Sequence, residues 1–148
     1  MPCVGRGRYG VRMVSKINQV TFDARDGYTL SKFWAEVTGY TEHPKYPNSP
    51  EDEENFIGPG GEHPGLLFIN VPEGKEIKNR LHLDISPDTT RDEEVDRLLA
   101  LGATVYEDHR KPDGTGWVTM RDPEGNEFCV ERSDAERAAA EAAKGEAS

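Results

Sequence analysis

The sequence predicts an α+β fold in which paired βαβββ modules form a U-shaped mixed sheet, a cup with its helices on the outside. Three observations lead there. Gln19 and Gly39 recur as His82 and Gly102, both at a spacing of 63 residues. Each copy opens on a strand-like alternation, changes to a helical period and stops at glycine, the switch from period 2 to 3.6 that marks a strand followed by an amphipathic helix. A chain of 148 residues buries one ordinary core, whereas two independent cores would be small, so the copies are halves of one domain.

The elements follow in order. Residues 1–15 carry Gly5, Gly7, Gly10, Arg6, Arg8 and Arg12 without an apolar period, which predicts a disordered extension and leaves Met13 as an alternative start. Val20, Phe22 and Ala24 alternate with Gln19, Thr21 and Asp23, a strand over 17–24. Leu30, Phe33, Trp34 and Val37 form the stripe of a helix over 28–38, with Gly39 as its stop. Residues 41–65 hold five of the ten prolines and the acidic run Glu51 to Glu54. They read as a loop with a short strand near Asn55 to Gly58, either a solvated connection or a lid over the cup. The apolar strand 66–71 completes a first module at 16–72. In the second module, at 79–132, Leu81, Leu83 and Ile85 alternate over 80–86, and Val95, Leu98 and Leu99 stripe a helix over 90–101 closed by Gly102. Strands are predicted at 103–108, 116–121 and 126–131. The last two are joined by Asp122-Pro123-Glu124-Gly125-Asn126, where proline presets φ and glycine admits a positive one. Ser133 and Glu136 have capping-box spacing, and the Ala/Glu-rich tail 133–148 lacks an apolar stripe, which predicts an exposed, fraying helix.

Charge and composition exclude several classes of function. The 18 Lys and Arg against 28 Asp and Glu give a net charge of −10, which repels nucleic acid and anionic membranes and suits a cationic partner. No apolar run has the length of a membrane span and the first residues lack a signal-peptide core, so a cytoplasmic protein is expected. Cys3 and Cys129 are the only cysteines, one near a terminus and one in an apolar strand, which argues against a disulfide framework.

The stretches INQVTFDARD, FWAEVTGY, RLHLDI, LLALGATV and GWVTMRDPEGNEFCVE, spanning roughly residues 16–132, together resemble the vicinal oxygen chelate superfamily, which includes glyoxalase I, bleomycin and fosfomycin resistance proteins and extradiol dioxygenases. They resemble its bacterial glyoxalase-like domain proteins in particular. The resemblance implies the paired-module cup and a homodimer. For members that are enzymes it implies a divalent metal, held by one ligand near the start of each module and one carboxylate on each module's last strand. Carried over, the first positions are Gln19 and His82. The others fail: the place seven residues after Asp122 is Cys129, and Leu66 to Ile69 offer no ligand.

The fold alone does not determine a reaction. A hard ion on one imidazole and one amide has too few donors. The expectation is therefore no cofactor and no tightly bound catalytic metal, with a divalent ion on His82 and Gln19 as the alternative. Cys129 reads as a small buried hydrophobe. Gln19, Thr21, His82, Asp84, Trp117 and Cys129 are expected to line the pocket, Trp117 as an aromatic platform and Trp34 as core. Asp23 and Arg80 share the cup face. Glu127 and Glu131 are the candidate proton carriers, and His43, His63 and His109 fall in loops. Two functions are consistent with this: a metal-independent binder of a small molecule, cationic by charge complementarity, and a metal-dependent lyase or isomerase of the glyoxalase type acting on a small carbonyl compound. The binder is favoured because the carboxylates are missing.

Overall fold

The computed structural model describes residues 14–61 and 63–147; Met13, Cys3 and nearly all of the predicted N-terminal extension lie outside them. The first half runs β1 (Gln19–Ala24), α1 (Gly27–Thr38), β2 (Glu54–Ile57) and β3 (Gly65–Asn70). The second runs β4 (Asp84–Ile85), α2 (Arg91–Ala100), β5 (Thr104–Asp108), β6 (Val118–Arg121) and β7 (Glu127–Val130), and α3 (Asp134–Glu146) follows. The halves form two mixed sheets, of order β1-β3-β2 and β4-β7-β6-β5. In each, the first strand lies parallel to the last, and the last is antiparallel to the one before it.

Local chemistry sets the ends of the helices. Asp26 caps α1 by accepting from the Thr29 amide, and Gly39 closes it at φ 72°, a conformation that costs glycine nothing. The Gly27 amide donates to Asn70 Oδ1 over 2.7 Å, and a Cβ at Gly27 would sit 2.9 Å from that oxygen, so only glycine allows this approach of helix to strand. Thr90 with Glu93 and Ser133 with Glu136 make reciprocal capping boxes on α2 and α3. Helix α3 buries no residue, in keeping with its missing stripe.

Two predicted elements are cut short. The first half is βαββ among the described residues. The place of the remaining strand, 63 residues before Thr104, is reduced to a single bridge between Thr41 and Gly58, because Pro44 and Pro47 remove the amides a ladder needs. The strand predicted over 80–86 shrinks to Asp84–Ile85. Upstream, the Asn79 amide donates to Glu127 Oε2 over 2.9 Å instead of joining a ladder, and Leu81 is left 72% exposed.

One core spans both halves. Trp34, fully buried on α1, lies 5.4 Å from Phe22 on β1 and 5.1 Å from Phe128 on β7, and Phe22 stacks on Phe68 at 5.1 Å. The Trp34 indole donates to the buried Asp122 carboxylate over 3.0 Å, so the turn of the second half is anchored to the helix of the first. No helix among the described residues is long and apolar enough to cross a membrane.

Candidate functional site

Side-chain alternation gives the four-stranded sheet two unlike faces. Phe128, Val130, Val118 and Met120 enter the core. Their neighbours point the other way, onto an open recess of about 470 Å³. Register then builds a row across three strands: Asp84 on β4 stands opposite Cys129 on β7, which stands opposite Thr119 on β6. His82, two residues before Asp84 and of equal parity, joins the row, its Nδ1 lying 3.2 Å from Asp84 Oδ1. One donor atom each from His82, Asp84 and Cys129 lie within 4.8 Å of one another. Cys129 is buried, with Sγ 3.6 Å from Thr119 Oγ1. Burial pushes its thiol pKa up; contact with Thr119 opposes this, and the nearby Asp84 and Glu131 carboxylates add to it.

A second group adjoins the row. A bulge between Val105 and Glu107 brings Glu107 level with Thr119, an extra residue that re-aims the strand. His109 stacks on Trp117 with ring centroids 4.7 Å apart, its Nε2 lies 3.1 Å from Glu107 Oε2, and Trp117 remains 43% exposed. The predicted platform is therefore two rings deep. His109 contributes to it, although its loop position gave no sign of this; the alternation of Glu107 and His109 beyond the strand was the signal.

A cleft of about 390 Å³ lies at the seam between β1 and residues 73–83, with Thr21, Asp23, Arg80, His82 and Glu127 in its walls. Gln19 lines neither this cleft nor the recess, so within one chain it is not brought to the site that holds His82. Of the two readings of the 41–65 loop, the lid finds no support here: among the described residues, none of 41–65 lines either space.

The two candidate proton carriers are engaged. Glu127 is buried, accepting from Lys75 Nζ and from the Asn79 amide, each at 2.9 Å. Burial pushes its carboxyl up, but the Asn79 amide and the Lys75 ammonium outweigh burial and hold it at about 2, too low for a useful base near neutrality. Glu131 is paired with Arg137 of α3 at 2.5 Å.

The family profile described as glyoxalase-like domain matches residues 19–131. No curated protein matches the chain. Among solved structures it is similar to a glyoxalase/bleomycin resistance protein/dioxygenase family enzyme from Burkholderia phytofirmans, at 22% identity and TM-score 0.61 over 78% of this chain and 97% of that one. It is similar to the fosfomycin resistance protein FosX of Listeria monocytogenes, in a complex with Mn(II) and a dihydroxypropylphosphonic acid, at 17% identity and TM-score 0.61 over 84% and 95%. A lactoylglutathione lyase from Agrobacterium tumefaciens gives 25% identity and TM-score 0.53 over 81% and 95%.

Proposed function

Because the chain belongs to the glyoxalase-like domain family, we propose that it is a cytoplasmic small-molecule-binding protein of the bleomycin-resistance type, with its ligand on the open face of the four-stranded sheet. The observation that carries this reading is the His109–Trp117 stack beside Asp84 and Glu107 on one recess. Aromatic faces next to carboxylates attract a planar cation, each cation–π contact contributing about 0.5–2 kcal/mol, and the net charge of −10 favours the encounter.

A metal-dependent lyase or isomerase is the second reading. The grouping of His82, Asp84 and Cys129 favours it, as does the Mn(II) in the FosX structure. It also needs a carboxylate to move a proton, and both candidates are held by cations; the binder is therefore preferred.

Trp117 reports on the site, since the chain has two tryptophans and Trp34 is fully buried. Bleomycin, a cationic aromatic drug, is expected to quench fluorescence saturably, and anionic fosfomycin to leave it unchanged. Trp117→Ala should weaken bleomycin binding at least tenfold by calorimetry. Equal response to both drugs, or none to either, would refute the cationic-ligand reading.

We propose further that the chain forms a homodimer. Strands β1 and β4 each pair on one side only, and such edges are covered by other chains or blunted. Light scattering at micromolar concentration should return twice the mass of one chain; a monomer mass would overturn the proposal.

A further inference from the structure

We infer that His82, Asp84 and Cys129 form a binding site for zinc(II) that discriminates against manganese(II). The inference takes its location from the ligand-binding reading of this face, but is measured without any organic ligand.

Of the positions that family resemblance marks, Gln19 and His82 are not brought together, and Cys129 stands where a carboxylate is expected. The geometry gives three donors. Strand register sets Asp84 opposite Cys129 on one face, and His82 reaches Asp84 over 3.2 Å. A tetrahedral ion with bonds of about 2.0–2.3 Å keeps its ligand atoms about 3.3–3.8 Å apart. The three donor atoms lie within 4.8 Å, so small side-chain rotations close the set. Three protein ligands with one position left open is the arrangement of zinc sites that accept an exogenous group, and this position faces the recess.

The donor types set the selectivity. One imidazole, one carboxylate and one thiol make a nitrogen, oxygen and sulfur set. Thiolate suits zinc(II) and cobalt(II) and disfavours manganese(II), which prefers oxygen. On binding, the ion takes the place of the thiol proton, which passes to solvent. Thr119, at 3.6 Å from Sγ, is placed to hydrogen-bond the sulfur and steady it.

Cobalt(II) makes the test spectroscopic. The untagged full chain carrying Cys3→Ser, which leaves one thiol, should bind cobalt(II) at one equivalent. The expected spectrum has visible bands of tetrahedral intensity and a near-ultraviolet thiolate-to-cobalt band. Zinc(II) should displace cobalt(II) stoichiometrically, whereas a hundredfold excess of manganese(II) should not. Cys129→Ser should abolish the thiolate band, and His82→Ala should weaken binding at least tenfold. Cys129→Ala is the second variant should the serine fail to fold, each first checked for the parent melting temperature without metal. A cobalt spectrum lacking the thiolate band, equal binding in the Cys129 variants, or displacement by manganese(II) would each overturn the inference. Because bleomycin quenching is read on metal-free protein, failure of either result leaves the other standing.

Discussion

Glu127→Gln is expected to destabilise the fold by about 3 kcal/mol at neutral pH, the low end of the range for removing one partner of a buried pair. The carboxylate joins the segment between the halves to β7: Lys75 Nζ and the Asn79 amide both donate to it, and the same ammonium donates to the Ile77 carbonyl over 2.7 Å. Glutamine keeps the shape and loses the charge. The pH dependence should show the same group. Its carboxyl is held at about 2 in the folded chain against an ordinary 4.5, so the unfolded chain binds the proton more readily. The stabilisation is complete above pH 4.5 and is lost as the pH falls through about 2, roughly 3 kcal/mol in all. Urea unfolding of wild type and variant should therefore give curves that converge as the pH falls from 4.5 to 2. Curves that stay parallel would show that Glu127 is not the group responsible. Residues 75–79 lead into His82, so the variant should also weaken whatever binds in the recess.

Much of the fold was legible because the periodicities are strong. The stripe of Leu30, Phe33 and Trp34 became the buried face of α1, and the alternation of Phe128 and Val130 with Cys129 became the two faces of β7. Among the described residues, the first half has one strand fewer than the βαβββ pattern of the repeat where Pro44 and Pro47 stand, a breaker signal that the reading of residues 41–65 as a loop had already registered. The late start of β4 was not legible, since it depends on the Asn79 amide meeting a carboxylate 48 residues away.

The site was legible by parity and not by register. His82, Asp84, Trp117 and Cys129 were all placed on the cup face, and all line one recess. That Asp84 would stand opposite Cys129 depends on the offset between β4 and β7, which alternation leaves open. The count of possible metal donors paired His82 with Gln19 across the modules and passed over the aspartate two residues along, which this offset sets opposite Cys129. The partners of Glu127 were hidden for a related reason: a carboxylate on a site-facing strand reads as a base until its contacts are known, and Lys75 lies in a stretch without periodicity.

Trp34→Ala should have the larger effect, about 3–5 kcal/mol, lowering the melting temperature by roughly 6–20 °C for a chain of this size. Trp34 contacts Phe22 of one sheet and Phe128 of the other, so the cavity would open where the halves meet and both should unfold in one earlier transition. A loss below about 1 kcal/mol, or two separate transitions, would show that the halves do not depend on this joint. Trp34→Phe separates packing from polarity. It retains a ring but removes the N–H that reaches Asp122 over 3.0 Å, leaving a buried carboxylate one donor short at about 1–3 kcal/mol. Burial already raises the Asp122 carboxyl above its ordinary 3.8, against the donors Trp34, Asn126 and Glu124, and loss of the indole should raise it further. A raised carboxyl favours proton uptake by the folded chain, so its penalty is felt above its folded pKa and disappears below 3.8. The deficit of Trp34→Phe should therefore shrink on acidification, whereas the cavity term of Trp34→Ala persists at every pH. A pH-independent deficit in the phenylalanine variant would mean that the indole serves packing alone.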